Sequence, residues 1–176
     1  IVISSERIHD APVSSLAISG NGELLASAGW DHLVKLQSFV TPGGARSFEG
    51  HSGIVNAVAF LPDGKSLVSG GYDASVRIWP VDGTTARVIT LPSPVSSLVV
   101  TKTGLIVAGC ADGNLVFISA EGIIEASLAA TETPVTSLAA SPDGMMIAAG
   151  SPRGAVAVVA DFVASFASPR GPGAQQ

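Results

Sequence analysis

GHSGIVNAVAFLPDGKSLVSGGYDASVRIW, residues 50–79, decides the fold. Two apolar runs, IVNAVAF and SLVSGG, flank Asp63-Gly64, a pair that tolerates positive φ and reverses an extended chain tightly. A second punctuation, Gly71-Tyr72-Asp73, leads into SVRIW. The stretch reads strand, turn, strand, turn, strand, with no helical period.

The same grammar recurs along the chain. Gly22, Gly64, Gly104 and Gly144 lie 42, 40 and 40 residues apart, preceded by Asn21, Asp63, Thr103 and Asp143. Val13, Val55, Val95 and Val135 each stand nine residues ahead of these glycines, so two registers hold at once and mark internal repetition. Third strands follow at 33–39, 75–79, 114–119 and 155–160, and a more polar fourth segment follows them, as at 45–50 and 86–91. The first strands of the repeats, near 13–19, 55–60, 95–100 and 135–140, are apolar at nearly consecutive positions, which suits a sheet covered on both faces. Ala17, Ala59 and Ala139 are small enough for a crowded axis.

Residues 50–79 resemble the WD-repeat signature of a four-stranded β-propeller blade. The resemblance implies an all-β fold of antiparallel four-stranded blades, about four of them, belonging to a larger propeller of the seven-blade type. By position, 1–8 is the outer strand of a preceding blade, 9–50, 51–91, 92–130 and 131–168 are the four blades, and 169–176 is a linker-like tail. It also implies a buried hydrogen-bonded set that matches His51, Ser69, Asp73 and Trp79, although Pro80 stands where the family's closing aspartate belongs. Blade 1 keeps a partial set of His9, Ser27 and Asp31, with Gln37 in place of the tryptophan. Leu91, Ala108 and Ile118 around Asp112, and Thr131, Ala149, Arg153 and Val159, predict apolar packing instead in the last two blades.

Composition narrows the function. The chain of 176 residues is 47% hydrophobic and only 13% charged, against roughly 25% charged in an ordinary domain, so much of it must be buried. Net charge is −5 with nine basic residues and no Lys/Arg cluster, which argues against nucleic acid and anionic lipid as partners. Uncharged stretches such as 88–101 fall short of the roughly 18 apolar residues a spanning helix requires, so no membrane insertion is expected. Cys110 is alone, cannot form an internal disulfide, and reads as a buried inert thiol.

Serine, histidine and aspartate together invite comparison with a catalytic triad, but the resemblance buries all three beside Trp79. There is no G-x-S-x-G elbow, P-loop or dinucleotide fingerprint, and His9, His51 and His32 form no ligand cluster. The expectation is therefore no enzyme, no metal and no cofactor within this chain. Binding is the better class. The residues before the turn aspartates, Trp30 and Tyr72, reach the face where such propellers usually take peptides, with Asn56 and Ser14 as candidate polar contacts. Against this, the two rings could simply cover blade edges.

Two alternatives accompany the protein-binding scaffold. The second repeat, a third repeat without the polar set and the tail RGPGAQQ are similar to bacterial WD-repeat modules fused to a c-type cytochrome domain. No C-x-x-C-H occurs, so haem and electron transfer would belong to a missing downstream domain, with a periplasmic rather than cytoplasmic setting. The other alternative is a propeller enzyme whose site lies on missing blades. The start at Ile1 and the absence of a signal-peptide pattern read as a fragment, whose open blade faces would allow self-association.

Overall fold

The tight turns decide how the strands pair. At each first hairpin a glycine takes positive φ (Gly22 75°, Gly64 66°, Gly104 86°, Gly144 75°), a region that L side chains adopt only with strain. In the computed structural model, which describes residues 7–41 and 43–160, these turns produce antiparallel sheets in strict chain order. Blade 1 comprises β1 (Val13–Ile18), β2 (Leu24–Gly29), β3 (Val34–Ser38) and β4 (Arg46–Phe48). Blade 2 comprises β5 (Val55–Phe60), β6 (Ser66–Gly71), β7 (Ser75–Pro80) and β8 (Arg87–Thr90). Blade 3 comprises β9 (Val95–Val100), β10 (Ile106–Cys110), β11 (Asn114–Ile118) and β12 (Ile124–Ala129). Blade 4 shows β13 (Ser137–Ala140), β14 (Met146–Gly150) and β15 (Val156–Ala160). The all-β expectation and the antiparallel blade pattern are borne out.

The fourth strand expected in 161–168, the tail 169–176 and most of the outer strand expected at 1–8 lie outside the described residues. Arg7 and Ile8, which are described, are not in a strand.

First strands pack side by side, β1 on β5, β5 on β9 and β9 on β13, so each sheet lays one face on the next. Alternation along a strand divides its residues between two junctions. Leu67 and Trp79 of blade 2 join Ala26, Val34, Leu36 and Phe48 of blade 1, whereas Val68, Val76 and Ile78 join Val95, Ile106 and Ile118 of blade 3. Phe117 and Leu115 of blade 3 meet Ile147 and Ala149 of blade 4. Apolar residues at consecutive positions are thus used on both sides.

The repeat valine is the pivot of each junction. Val55, Val95 and Val135 are fully buried, while Val13, with no described blade before it, is 48% exposed. Val95 sits directly on the backbone of Gly70, where an added Cβ would lie 2.4 Å from Val95 Cγ1, and Val135 sits on Gly109 in the same way at 2.6 Å. Hydrogen bonds fix the same point. Ser14 Oγ donates to the Val55 carbonyl, Asn56 Nδ2 to the Val95 carbonyl at 2.7 Å, and Ser97 Oγ to the Val135 carbonyl at 2.7 Å. Register shifts beside Ser14 and Asn56 are β-bulges, which re-aim these side chains across the junction.

One expectation fails at the edge. Ala139, predicted for a crowded axis, is exposed, because no described sheet covers that side of blade 4. For the same reason Met146, Val156 and Val158 there, and Leu16 and Ile18 on blade 1, are exposed apolar residues.

The valine seat makes a test. Gly70→Ala should cost about 1–3 kcal/mol by overpacking against Val95, whereas Gly43→Ala, with nothing within 4 Å, should be nearly neutral in the same denaturant titration. Adding Val95→Ala to Gly70→Ala should remove part of the clash, so additive losses in the double variant would refute the seat.

Candidate functional site

The second repeat brings its four matched residues into one chain of hydrogen bonds. Trp79 Nε1 donates to Ser69 Oγ at 2.8 Å, Ser69 Oγ lies 2.7 Å from His51 Nε2, and His51 Nδ1 lies 2.9 Å from Asp73. A neutral ring with its proton on Nδ1 satisfies every member: the serine hydroxyl donates to Nε2 and Nδ1 donates to the carboxylate. The topology explains the convergence. Ser69 and Trp79 sit on adjacent antiparallel strands, β6 and β7, with Trp79 opposite Leu67, while Asp73 sits in the turn between them. Phe48 of blade 1 packs against the indole with ring centroids 5.7 Å apart.

Ser75 and the turn backbone were not foreseen. Ser75 Oγ donates to Asp73 at 2.8 Å, and the amides of Ser52 and Ser75 donate to the same carboxylate at 3.0 and 3.2 Å. The signal was an Asx turn: in blades 1 and 3 the amides of Leu33 and Asn114 likewise donate to Asp31 and Asp112, two residues earlier.

Blade 1 repeats the core of the arrangement. His9 Nε2 lies 2.7 Å from Ser27 Oγ and His9 Nδ1 2.9 Å from Asp31, while Gln37 occupies the strand position opposite Leu25 that Trp79 occupies opposite Leu67. In blade 3, Leu91, Ala108 and Ile118 are buried in the apolar junction, and Asp112 binds Asn114 instead. In blade 4, Ala149 is buried and Val159 packs on the same core, Thr131 Oγ1 donates to the Thr133 carbonyl at 2.6 Å, and Arg153 is exposed.

Electrostatics agree with a structural role. Burial, which outweighs the neighbouring Asp73 and is helped by the charges of Arg77 and His32, holds the His51 imidazole below its ordinary 6.5. Burial also pushes the Asp73 carboxyl up, but hydrogen bonds from Ser75, the Ser52 amide and His51 overcome it and leave the group below its ordinary 3.8. In blade 1, burial is likewise overcome for Asp31 by His9 and the amides of Leu33 and Asp10. Burial, with the Asp112 charge adding, raises the Cys110 thiol to about 11, so it stays protonated and unreactive near neutrality.

The distances are those of a Ser-His-Asp triad, yet access is missing. Ser69 is completely buried, Ser27 is 1% exposed, and Ser69 Oγ is already held by the indole, so neither oxygen can meet a substrate. Among the described residues no three His, Cys, Asp or Glu side chains come together in a way that could hold a metal ion.

The exposed candidates behave differently. Trp30 and Tyr72, in the turns after β2 and β6, are 52% and 63% exposed, and their amides donate to the Pro12 and Ile54 carbonyls at 2.9 and 2.7 Å. The backbone is pinned while the rings face solvent. Ser14 and Asn56 are instead committed to the blade junctions, where their donors hold the Val55 and Val95 carbonyls.

With blades and polar set in place, the family profile "WD domain, G-beta repeat" matches residues 3–37, 45–80 and 123–156, together more than half of the chain. The chain belongs to the WD-repeat family. It is similar to transducin beta-like protein 3 of Rattus norvegicus, 40% identical over 76 residues, which are 42% of this chain and 10% of that protein. It is also similar to periodic tryptophan protein 2 of Arabidopsis thaliana, 42% identical over 72 residues, 40% of this chain and 8% of that protein. Small ribosomal subunit protein RACK1 of Neurospora crassa is 34% identical over 80 residues, 44% of this chain and 25% of that protein. The matches thus span a quarter or less of these WD-repeat relatives. All three are eukaryotic and none is named as a cytochrome, so they lend no support to the bacterial cytochrome-fusion resemblance.

Two outcomes follow from the polar set. His51→Ala or Trp79→Phe should destabilise by about 1–3 kcal/mol by stranding buried partners, whereas His32→Ala, in an exposed turn, should change stability little. Equal denaturant midpoints for His51→Ala and His32→Ala would contradict the role. The pH dependence has one sign for both titrating members. His51 and Asp73 are held below their unfolded values of 6.5 and 3.8, so the unfolded chain binds more protons and stability falls on acidification. The histidine contribution is complete above 6.5 and drains as pH falls below it; the carboxylate contribution drains below 3.8. Thermal midpoints should drop between pH 7 and pH 5, and the drop should be smaller in His51→Ala.

Proposed function

We propose that the chain is a non-catalytic WD-repeat scaffold that receives a protein or peptide on the turn face bearing Trp30 and Tyr72. The observation that carries the reading is the exposure of these two rings on turns whose backbone is held by hydrogen bonds. Each ring precedes an aspartate locked to a buried histidine, 2.9 Å from His9 in blade 1 and 2.9 Å from His51 in blade 2. Exposed aromatics on a fixed backbone supply contact area at small entropic cost, which is why they dominate binding hot spots.

Several considerations support this class. The relatives include proteins named for a small ribosomal subunit, for a U3 snoRNP and for a CCR4-associated factor, names that speak of assemblies. A net charge of −5 favours a protein surface over a nucleic acid backbone. The serines that would act as nucleophiles are enclosed. Self-association through the exposed apolar faces, Leu16 and Ile18 at one end and Val156 and Val158 at the other, belongs to the same proposal.

Affinity capture from cell extract with wild-type chain and with Trp30→Ala/Tyr72→Ala, followed by a titration of the captured protein, tests the site. The wild type should retain a partner whose affinity falls at least about tenfold in the double variant, the loss of one or two aromatic anchors. An unchanged affinity removes this face from the proposal. Light scattering over a concentration series tests self-association, and Leu16→Asp should abolish any dimer that uses the blade 1 face.

A further inference from the structure

A second binding feature lies away from the turn face, at the outer rim between blades 1 and 2. Arg77 on β7 pairs with Ser69 on one side and Val88 on the other, so its side chain points toward blade 1. The guanidinium is wedged: its Cζ lies 5.5 Å from the centre of the Trp79 ring, and a Cβ on Gly50 would come within 2.4 Å of Nη1. Gly50 has no Cβ, so that space is open for the cation, and its φ of 150° is one that L side chains rarely adopt. Nε is buried and has no acceptor among the described residues.

The equivalent position in blade 1 sharpens the contrast. Lys35, opposite Ser27 as Arg77 is opposite Ser69, donates its ammonium to the Ile8 carbonyl. Arg77 is held in place but finds no such acceptor. Nε itself is enclosed and out of reach of an incoming group, so a partner's carboxylate, the group whose geometry matches a guanidinium, meets Arg77 at its Nη end.

The groove beside it holds about 660 Å³ and is lined by Arg46, Phe48, Glu49, Arg77, Thr84 and Val88 among others. Its own acids do not neutralise Arg77. Asp82 accepts from the amide and hydroxyl of Thr84, both at 2.9 Å, Glu49 is exposed, and among the described residues no Lys or Arg lies within ion-pair distance of a carboxylate. Arg46 bridges the outer end by donating to the Val81 carbonyl at 2.7 Å, and its charge acts on Asp82 there, leaving Arg77 as the cation without a carboxylate. Val88, 49% exposed, supplies an apolar wall in register with Arg77. β8 is the outermost strand of its sheet, so its free edge can accept another extended chain.

We propose that this groove receives an extended acidic peptide, with a carboxylate on Arg77 and an apolar side chain on the same face of the peptide against Val88. The proposal rests on reading the chain as a binding scaffold, but not on the Trp30 and Tyr72 face.

Fluorescence anisotropy with a fluorescein-labelled octapeptide SESVSESV, against the neutral SQSVSQSV, tests it on the chain as described. The wild type should prefer the acidic peptide by at least about tenfold, the scale of one charge-assisted fork. Arg77→Gln should abolish the preference, Arg77→Lys should keep part of it, and Trp30→Ala/Tyr72→Ala should leave it intact. Val88→Asp, on the exposed wall, should weaken acidic-peptide binding by like charge and provides the result if Arg77→Gln fails to fold by circular dichroism. Equal affinity for the two peptides, no binding by the wild type, or a preference that survives both Arg77→Gln and Val88→Asp overturns the groove. Loss in Trp30→Ala/Tyr72→Ala with retention in Arg77→Gln also overturns it, and leaves the turn-face scaffold standing.

Discussion

A valine side chain seated on the bare backbone of the neighbouring blade is the contact on which the rest of this structure depends. Val95 against Gly70 and Val135 against Gly109 set how closely two sheets approach at their inner strands. The hydrogen bonds to the Val55, Val95 and Val135 carbonyls then fix the angle at the same points. Apolar contact alone would let sheets slide, since burial is proportional to area and indifferent to register. A directional bond at the valine carbonyl removes that freedom. Everything farther out, including the junction cores and the outer groove, inherits its geometry from this inner line.

The blades reach one backbone by two chemistries. In blade 2 a buried run of indole, hydroxyl, imidazole and carboxylate is complete, so each polar group has a partner and the low dielectric strengthens every bond. In blade 3 the same places are filled by Leu91, Ala108 and Ile118, which need no partners at all. Intermediate solutions are the expensive ones, because a buried polar atom without a partner loses its hydration and gains nothing. Blade 1 keeps His9, Ser27 and Asp31 together as a unit while exchanging the tryptophan for Gln37, another polar group. The turn aspartate persists through blade 3 for a separate reason: it caps its own turn by accepting from the amide two residues on.

These interior solutions determine what remains at the surface for a partner. Because the aspartates are tied inward to histidine, the preceding residues Trp30 and Tyr72 turn outward. Because Trp79 is consumed by Ser69 on its polar edge and by Phe48 on its flank, its face is left to Arg77. The polar set therefore shapes two surfaces without being a site itself. Residues that look catalytic in one dimension serve as rigid backing in three.

Hairpins, repeat length and blade architecture were legible in the sequence because they rest on local chemistry: Asp63-Gly64 reverses the chain by its own backbone preference, and alternation assigns strand faces without outside help. The polar set was legible by resemblance, since residues spaced as His51, Ser69, Asp73 and Trp79 are spaced carry their pattern on the line of the chain. Ser14 and Asn56 show where that legibility ends. Both read as candidate contacts for a partner, but bulges in β1 and β5 aim them across the junction at carbonyls some forty residues away, a distance the sequence does not display. Ala139 read as crowded and is exposed, because crowding depends on which sheet lies opposite. Arg77 gave no signal either. Lys35 and Arg77 are equivalent basic residues in the sequence, and only the folded path of the chain brings the Ile8 carbonyl to the first and leaves the second without an acceptor. Local preference fixes which strands form, but whether a charge is satisfied is a property of everything packed around it.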